Sequence, residues 1–411
     1  MNEMIIFFKN LRGNPKVCAL TALTGPFNLF IPFAAMYMFA LGLSDVEIGI
    51  VLSTALFANF VMALLGGIIV DKLGRKNTLI LSDLLAWNVA TLIWAFAQNF
   101  WWFFVAAIFN SFSQVAMVAF ECLWLDDLEE RKIFKLTTIF HIFGLCTVFL
   151  VLISGAFIER FEMAHAMRMV YLFAFSIFTV RLVLFTLFMK ETKRGESRMA
   201  EVKNQSVFLL LSGYKEIFLL IVRSRSMKRV LILMPMVVIF QTIGNNFFGL
   251  FITQNLGISP YFIAYFPSIR AVVALSFLLF IQSRLGRFDP KHLMGVGLIV
   301  YITAHMLLLF APPQNMSWLI TYALLDACAA ALFLPRMDTL LFGSIDPTER
   351  ARCRSLINVV VLAVSSPFGF LAGFLSDMDR RLPFVLNIML FCFMIYFVLS
   401  RTDRESPQPL P

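Results

Sequence analysis

Twelve long apolar stretches, separated by short polar turns, constrain this chain more than any other feature. A helix that crosses the hydrocarbon core of a membrane needs about 20 mostly apolar residues. Because the stretches are continuously apolar and do not alternate with period two, they exclude a transmembrane β-barrel. The sequence therefore predicts an all-α membrane protein with twelve transmembrane helices, which we call spans 1 to 12. They lie near residues 17–40, 48–70, 77–97, 101–124, 134–157, 167–189, 229–252, 261–282, 292–311, 316–341, 355–376 and 382–400.

The distribution of charge predicts how the chain is oriented in the membrane. It carries 34 Lys and Arg and a net charge of +9, and 27 of these cations fall at one end of the predicted bundle, against four at the other. Such an excess of Lys and Arg is typical of cytoplasmic loops. We therefore expect a protein of the cytoplasmic (inner) membrane of a bacterium, with both termini in the cytoplasm. The positive charge follows from this topology and needs no nucleic-acid partner.

Short motifs recur between the two parts of the chain at a nearly constant offset. The run Leu-Gly-Leu-Ser at 41–44 returns as Leu-Gly-Ile-Ser at 256–259, and Lys-Leu-Gly-Arg at 72–75 returns as Arg-Leu-Gly-Arg at 284–287. Each pair falls in equivalent turns of two parallel repeats. We therefore expect two six-helix pseudo-symmetric halves, at 1–190 and at 229–411 with its short cytoplasmic tail.

The halves are joined by a cytoplasmic linker at 191–228. Its first residues, 191–196, are polar, and we expect them to break a helix. The stretch 207–222 is apolar but interrupted by charges, which predicts an amphipathic segment that lies along the membrane surface.

The turn between spans 2 and 3 concentrates charge at the predicted cytoplasmic end. Asp71 is expected to lie at the start of span 11, where the first amides of a helix carry partial positive charge. Arg75 is expected to pair with one of the acidic residues at the end of span 4. Gly74 permits a tight turn, and Gly67 permits the close approach of spans 2 and 11. The predicted gating latch comprises Gly67, Asp71, Gly74, Arg75, Lys76 and Asp127, with Glu121 and Asp126 as other available carboxylates.

The same turn carries a resemblance to a known family. Residues 67–76 read Gly-Ile-Ile-Val-Asp-Lys-Leu-Gly-Arg-Lys, which fits the signature G-x-x-x-D-[RK]-x-G-[RK]-[RK] of the major facilitator superfamily. The chain resembles this superfamily over its whole length, which implies its fold and transport by alternating access. In the family the latch holds the outward-open state and breaks on closure. The arginine-centred motif and the Gly-Pro pair of proton-coupled drug exporters are absent from spans 4 and 5.

Two ionisable residues are predicted to lie near the membrane midplane. Arg270 in span 8 and Asp326 in span 10 each lie about nine residues from a span end, or roughly 14 Å at 1.5 Å per residue. A charge at this depth is costly, so each needs a partner or a function. Either Arg270 binds the anionic group of a substrate while Asp326 exchanges a proton, or the two form a permanent ion pair.

Other polar residues are assigned roles by their depth and by the resemblance. Glu121 and His141 are, with Asp326, the candidates for carrying a coupling proton, since histidine titrates near neutrality. Asp83 and Arg181 are expected to be structural, because spans 3 and 6 are peripheral in the resembled fold. Spans 1, 4, 7 and 10 line the cavity of that fold, so the polar residues on them either bind substrate or form hydrogen bonds between helices. The candidate substrate-binding residues are Asn28, Asn110, Gln114, Gln241, Asn245, Asn246 and Arg270.

These features predict a secondary transporter that moves a small organic solute by alternating access. We expect proton coupling, export of an amphiphilic solute, and function as a monomer. One alternative is uptake of a small anionic metabolite held by Arg270 and Arg336, and another is a non-transporting membrane sensor or lipid scramblase. No nucleotide-binding loop, metal-ligand spacing or nucleophile constellation is found, so neither an enzyme nor a cofactor is predicted.

Overall fold

The computed structural model describes residues 11, 13–22, 27–126, 128, 130–206, 225–285, 287–343 and 350–399. Asp127 and the predicted amphipathic segment at 207–222 lie outside these residues. The side chains of Asn28 and His141 also lie outside the described part.

Within the described residues, the helices between the turns can be grouped into twelve segments that fall at the positions of the predicted spans. Five of them change helix type or break within the membrane, and each is written as its consecutive pieces. They are α1 (Gly13–Ala22, Phe27–Phe30, Ile31–Phe33, Ala34–Ala40), α2 (Asp45–Leu73), α3 (Arg75–Asp83, Leu84–Val89, Ala90–Ala95), α4 (Phe100–Asn110, Ser113–Leu125), α5 (Glu130–Val148, Val151–Arg160), α6 (Met163–Phe188), α7 (Arg225–Gln254), α8 (Pro260–Ala264, Tyr265–Ser276, Phe277–Ile281, Gln282–Leu285), α9 (Pro290–Leu309), α10 (Met316–Gly343), α11 (Arg350–Met378) and α12 (Leu382–Leu399).

Nine of these segments, within the residues described, are long and apolar enough to cross a membrane: α2, α3, α4, α6, α7, α9, α10, α11 and α12. The other three, α1, α5 and α8, are divided into shorter pieces. Pro32 lies in the 3₁₀ turn within α1, where its missing N–H and fixed φ favour a departure from regular helix.

The two ends of the bundle are named by their turns. The hairpin end carries the α2–α3 turn around residues 71–76, and the far end carries the α1–α2 turn around residues 41–44. At the far end Ser44 caps α2, because its hydroxyl accepts from Glu47 N–H while the Glu47 carboxylate accepts from Ser44 N–H. Such a capping box satisfies amides that would otherwise be unpaired. At the hairpin end Gly74 ends α2 with φ +81°, a conformation that favours glycine.

Helices α2 and α11 cross closely near the far end, where glycines replace side chains. A Cβ at Gly373 would lie 2.7 Å from Cα of Gly49, and one at Gly369 would lie 2.6 Å from Ser53 N. Across the crossing, Phe370 N–H donates to Ser53 Oγ at 2.6 Å. The glycine-to-glycine contact of the two helices thus lies at Gly49, and a close approach at Gly67, at the hairpin end, stays a prediction.

Helices α5 and α8 cross in the same way as α2 and α11, and the internal repeat relates the two crossings. A Cβ at Gly155 would lie 2.8 Å from Ala264 Cβ and 3.2 Å from Tyr261 O. Gly155 precedes Gly373 by 218 positions, and Ala264 follows Gly49 by 215. These offsets match those of the short sequence motifs, so the two far-end seams are equivalent contacts of the two halves.

The buried apolar side chains form a large core at the far end and smaller cores toward the hairpin end. The large cluster joins residues of both halves, among them Tyr37, Tyr171, Phe251 and Phe384. Toward the hairpin end, one cluster belongs to the N-terminal half and two belong to the C-terminal half, and a small one, of Ala63, Val359 and Leu362, joins α2 to α11. The halves are thus packed together at the far end, which is closed in this conformation.

The start of the linker differs from the expectation for 191–196. Thr192 caps a further helix, Lys193–Val202, by accepting from Gly195 N–H. We call it the linker helix. The chain leaves the helix after Phe188, as the polar stretch predicts, but it resumes a helix at Lys193, within the stretch expected to stay broken. The polar residues there form the Thr192 cap and hydrogen bonds to Arg75 and Lys76.

Candidate functional site

A cavity of about 480 Å³ lies at the midplane, between α1, α5, α7, α8 and α10. Its lining is mostly apolar, with Asn245, Arg270, Tyr322 and Asp326 as the residues that carry polar side-chain groups. A concave, largely apolar cavity with a few convergent polar groups is the usual form of a small-molecule site.

Arg270 and Asp326 form an ion pair across this cavity, between α8 and α10. The pair is asymmetric, because 49% of the Arg270 side chain is exposed and only 6% of the Asp326 side chain. Within the described residues, Nη2 is the one atom of Arg270 that makes a side-chain hydrogen bond, which it donates to Asp326. The other N–H groups of the guanidinium therefore remain available toward the cavity, while the carboxylate is held against the protein.

A polar layer of aromatic and amide groups lies behind Asp326. His305 Nδ1 lies 3.0 Å from Tyr301 O, and Asn387 Nδ2 lies 3.3 Å from His305 Nε2. A carbonyl can only accept, so this geometry places the proton on Nδ1 and leaves Nε2 as the acceptor. The imidazole also packs edge-on against Tyr322, with ring centroids 5.9 Å apart. His305 is thus a buried packing residue that supports the wall of the cavity.

Of the three candidate binding residues on α7, one lines the cavity and two do not. Asn245 lines the cavity. Asn246, one residue further, donates instead to Thr242 O of its own helix at 2.8 Å. Gln241 is half-buried on α7 and is not among the residues that line the cavity.

The candidates on α4 lie away from the cavity. Asn110 donates to Ala86 O at 3.0 Å, within the π-helical turn Leu84–Val89 of α3. A π-turn displaces backbone carbonyls from the regular ladder, so this amide completes the contact between α3 and α4. Gln114 instead accepts from Asn358 of α11 at 3.3 Å and joins the two halves.

The two peripheral charges of the N-terminal half pair with each other. Arg181 donates to Asp83 through Nη2 at 2.6 Å and Nε at 3.2 Å. The guanidinium also lies 4.8 Å from the centre of the Phe178 ring. This arrangement fits the structural role expected for both residues.

The remaining proton-coupling and anion candidates are separated from the midplane pair. The Glu121 side chain on α4 is exposed and attracted by Arg354 of α11. Arg336, one of the two arginines of the anion alternative, donates to Leu332 O at 2.7 Å and Ala331 O at 3.4 Å. Pro335 has no N–H for Ala331 O, so Arg336 satisfies carbonyls of its own helix and does not line the cavity with Arg270.

The latch at the hairpin end is built around Arg75. Arg75 pairs with Asp126 at the end of α4 and donates to Thr192 Oγ1 at 2.7 Å. The Thr192 hydroxyl in turn donates to Asp126 at 3.0 Å. Lys76 contributes its backbone, since its N–H donates to a Glu191 carboxylate oxygen at 2.9 Å. Among the described carboxylates near the end of span 4, Asp126 is therefore the partner of Arg75, and the role of Asp127 in the latch stays a prediction.

Asp71 makes an ion pair with the linker helix. Arg198 Nε donates to Asp71 Oδ2 at 3.1 Å, and Arg198 Nη1 donates to Glu201 at 2.9 Å. These two carboxylates raise the pKa of the Arg198 guanidinium, chiefly through their hydrogen bonds. From the sequence we expected Asp71 to lie at the start of α11. In this conformation its carboxylate pairs with Arg198 of the linker helix.

If Asp71 moves from Arg198 to the start of α11 when the far end opens, two variants are expected to differ. We expect Asp71→Asn to lower transport more than tenfold, because it removes the charge needed at α11 when the far end opens. Arg198→Gln breaks the same exposed pair, worth about 0.2–1 kcal/mol, and should keep at least half of the transport. Flux in proteoliposomes measures both, and wild-type flux in Asp71→Asn would contradict the latch.

A second charged contact, at the far end, escaped the sequence analysis. The Asp45 carboxylate accepts from Ser376 Oγ at 2.6 Å, from Arg380 Nε at 3.0 Å and from Arg380 Nη2 at 3.2 Å. Only 1% of the Asp45 side chain is exposed. Asp45 begins α2 and Arg380 follows the end of α11, so each charge also complements a helix dipole. We call Asp45, Ser376 and Arg380 the far-end lock.

Twelve helical segments in two repeated halves, with a polar pair in a midplane cavity, define a polytopic membrane transport protein. The chain belongs to the MFS_1 like family, whose model matches residues 24–386. The family and the structural neighbours are transporters and not enzymes.

Individual relatives agree with this family. A stretch of 106 residues is 31% identical to an uncharacterized MFS-type transporter, YqjV of Bacillus subtilis (strain 168), and covers 26% of each chain, so the match spans about a quarter of that relative. A mutant of the nucleoside transporter NupG has a TM-score of 0.74 at 17% identity, covering 94% of this chain and 98% of NupG. A POT family transporter in complex with 5-aminolevulinic acid has a TM-score of 0.70 at 14% identity, covering 94% of each chain.

Proposed function

We propose that the chain is a proton-coupled secondary transporter that carries a small organic acid through the midplane cavity. The observation that carries this proposal is the asymmetry of the midplane pair. Arg270 is 49% exposed to the cavity, and its partner Asp326 is 6% exposed. A cation available to a solute and a carboxylate shielded behind it are suited to binding an anion and a proton together.

The coupling follows from the charges in the site. The pair is neutral, and a solute carboxylate that binds the free edge of Arg270 forms strong charge-assisted hydrogen bonds. It also adds a negative charge to an apolar cavity, beside a second carboxylate. Two carboxylates that share one guanidinium in such a medium are not stable in their ionised forms. Asp326 therefore takes up a proton when the solute binds, and the loaded site is again neutral.

The direction of transport follows from the binding of the solute and a proton together. A solute and a proton that bind together cross together, so an inward proton gradient drives uptake of the acid. The sequence analysis predicted export. Export requires a different solute, one without negative charge whose binding displaces the proton from Asp326. The sign of the proton change on binding distinguishes these two cases.

The topology and assembly belong to the same proposal. The hairpin end faces the cytoplasm of a bacterium, as the excess of Lys and Arg at that end predicts, and both termini lie there. The halves 1–190 and 229–411, joined by the linker, rock about the cavity. A single chain holds the cavity, which fits a functional monomer with a small-molecule substrate.

The names of the structural neighbours suggest the first ligands to screen. 5-Aminolevulinic acid carries a carboxylate, whereas a nucleoside is uncharged. The proposal predicts that a nucleoside, which offers no anion to Arg270, does not stabilise the protein. It also predicts that stabilisation by any carboxylate of the screen is lost in Arg270→Gln.

Proton-gradient-driven flux in proteoliposomes tests the proposal. We expect Asp326→Asn to lose gradient-driven accumulation of the solute by at least tenfold and to retain exchange of labelled for unlabelled solute. The reason is that the amide keeps the hydrogen bond to Arg270 but cannot bind the coupling proton.

Glu121→Gln is the matched control, since it removes a carboxylate that lies away from the cavity. It should keep gradient-driven accumulation. Full pH-driven transport in Asp326→Asn would exclude proton coupling at this residue. Absence of solute flux from every preparation of folded protein would favour the sensor or scramblase reading.

A further inference from the structure

We infer that Tyr322 is a specificity-determining residue of the midplane cavity. Its hydroxyl bonds to a neutral hydroxyl or carbonyl group that the solute carries in addition to its carboxylate. The inference rests on the proposed function and narrows the substrate class of the same site to hydroxy and oxo monocarboxylates.

The ring of Tyr322 is held in place by aromatic neighbours. Only 5% of the residue is exposed. The ring is stacked on Phe248, with centroids 5.3 Å apart and an interplanar angle of 26°, and meets His305 edge-on at 5.9 Å. Phe266 in turn meets Phe248 edge-on, with centroids 4.8 Å apart. Aromatic rings prefer offset-stacked and edge-on arrangements, so the position of the hydroxyl is set before a solute binds.

The hydroxyl of this buried ring has no hydrogen-bond partner among the described residues, and its oxygen is not one of the buried atoms enclosed by protein. The polar tip of a buried Tyr or Trp usually finds a partner. Tyr37, for example, donates to Trp94 O at 3.0 Å, and the Trp318 indole donates to Leu307 O at 2.6 Å. Because Tyr322 lines the cavity, its hydroxyl is available to a molecule that binds there.

The hydroxyl belongs to the same site as the midplane pair. Tyr322 precedes Asp326 by four residues on α10, so the two side chains are neighbours on one face of the helix. The hydroxyl also lies close enough to Asp326 and Arg270 to interact electrostatically with both. A solute whose carboxylate binds Arg270 can therefore place a second group at Tyr322, with a short carbon chain between the two.

The charges of the lining require this second group to be neutral. Arg270 is the one cation among the described residues that line the cavity, and the solute carboxylate occupies it. A second anion finds no cation, and an ammonium group beside Arg270 places two like charges in an apolar cavity, which is costly. A tyrosine hydroxyl donates and accepts, so it suits a hydroxyl or a carbonyl. Asn245, the other uncharged polar residue of the lining, favours a neutral group for the same reason.

This arrangement discriminates against plain carboxylic acids. An acid that fills the cavity without a second polar group leaves the Tyr322 hydroxyl unpaired. A site that is built to hydrogen-bond a substrate group rejects the analogue that lacks it, and an unpaired buried donor lowers affinity roughly 5–150-fold.

A series of matched acids tests the inference on the purified full chain. The probes are hexanoate and its straight-chain monohydroxy derivatives, from 2-hydroxyhexanoate to 6-hydroxyhexanoate, which move the hydroxyl stepwise away from the carboxylate. Affinities are obtained from titrations of thermal stabilisation. We expect at least one derivative to bind the wild type at least fivefold more tightly than hexanoate does.

Two tyrosine variants assign the preference to one hydroxyl. Tyr322→Phe keeps the ring and its stacking, so it should bind hexanoate within about twofold of the wild type and lose the preference for the hydroxy acid. Tyr301→Phe is the matched control. Tyr301 is also buried, and its hydroxyl also interacts electrostatically with Asp326 and Arg270, but it is not among the residues that line the cavity. This variant should keep the preference.

The outcomes separate this inference from the proposed function. Equal affinity for hexanoate and all its derivatives, with binding lost in Arg270→Gln, would overturn the Tyr322 contact and leave the carboxylate site in place. An unchanged preference in Tyr322→Phe, or an equal loss in Tyr301→Phe, would also overturn it. If no acid of the series stabilises the protein, the proposed carboxylate site is wrong, and this inference fails with it.

Discussion

Replacing Gly373 by alanine is expected to lower transport at least fivefold. A Cβ at this position would lie 2.5 Å from Asp45 O and 2.7 Å from Gly49 Cα. Both neighbours are backbone atoms, so no flexible side chain can move aside, and the two helices must separate. Overpacking of this kind costs about 1–3 kcal/mol, which corresponds to roughly 5–150-fold in a conformational equilibrium. The far-end lock is one turn away, so separation also weakens the ion pair of Asp45 and Arg380.

The effect can be measured as a distance across the far end. Spin labels at Gln98 and Pro313, which are exposed on the far-end turns of opposite halves, should show a longer distance in Gly373→Ala than in the wild type. Gly144→Ala is the control, because a Cβ at that position meets nothing within 4 Å. Wild-type flux and an unchanged distance in Gly373→Ala would contradict a closed far-end seam.

The second large effect concerns the stability of the midplane pair. Arg270→Met leaves Asp326 buried without a partner, and breaking a buried pair in this way costs about 3–5 kcal/mol. Asp326→Leu should cost less, because 49% of the Arg270 side chain is already exposed to the cavity. Thermal unfolding in detergent should rank Arg270→Met below Asp326→Leu.

The double variant separates the two readings of the pair. Arg270→Met with Asp326→Leu removes both charges, so it should recover most of the lost stability and yet bind no organic acid. A stable and fully active double variant would show that the pair is neither the binding site nor the coupling site. Wild-type stability of Arg270→Met alone would contradict the ion pair.

Counting residues from the ends of the spans predicted that Arg270 and Asp326 lie at a similar depth, because each residue adds a fixed rise along the helix axis. Arg270 and Asp326 are joined as one of the two sequence interpretations expected. The same counting could not give the rotation of each helix. Asn245 and Asn246 have nearly the same depth, and only Asn245 lines the cavity. Asn110 was assigned to the cavity because nothing in one sequence indicates the π-helical turn of α3 whose carbonyl it binds.

The far-end contacts had a signal in the sequence that was not used. Gly369 and Gly373 form a G-x-x-x-G pattern on α11, which is typical of close helix crossings in membranes. In the sequence, Asp45 is an acidic residue in the first turn of α2, a common position for an exposed acid. Its side chain is buried because Ser376 and Arg380, at the end of α11, contact it. The linker helix was missed because its stability comes from tertiary contacts such as that of Arg198 with Asp71, which local propensity does not contain.

The proton change on solute binding tests the coupling at Asp326 most directly. Purified protein in weakly buffered detergent, with a pH indicator, is mixed with the carboxylate that binds most tightly in the ligand screen. We predict uptake of about one proton per bound solute in the wild type and none in Asp326→Asn, since the bound carboxylate and an ionised Asp326 cannot share Arg270. Release of a proton by the wild type, or the same uptake in Asp326→Asn, would contradict the proposed mechanism.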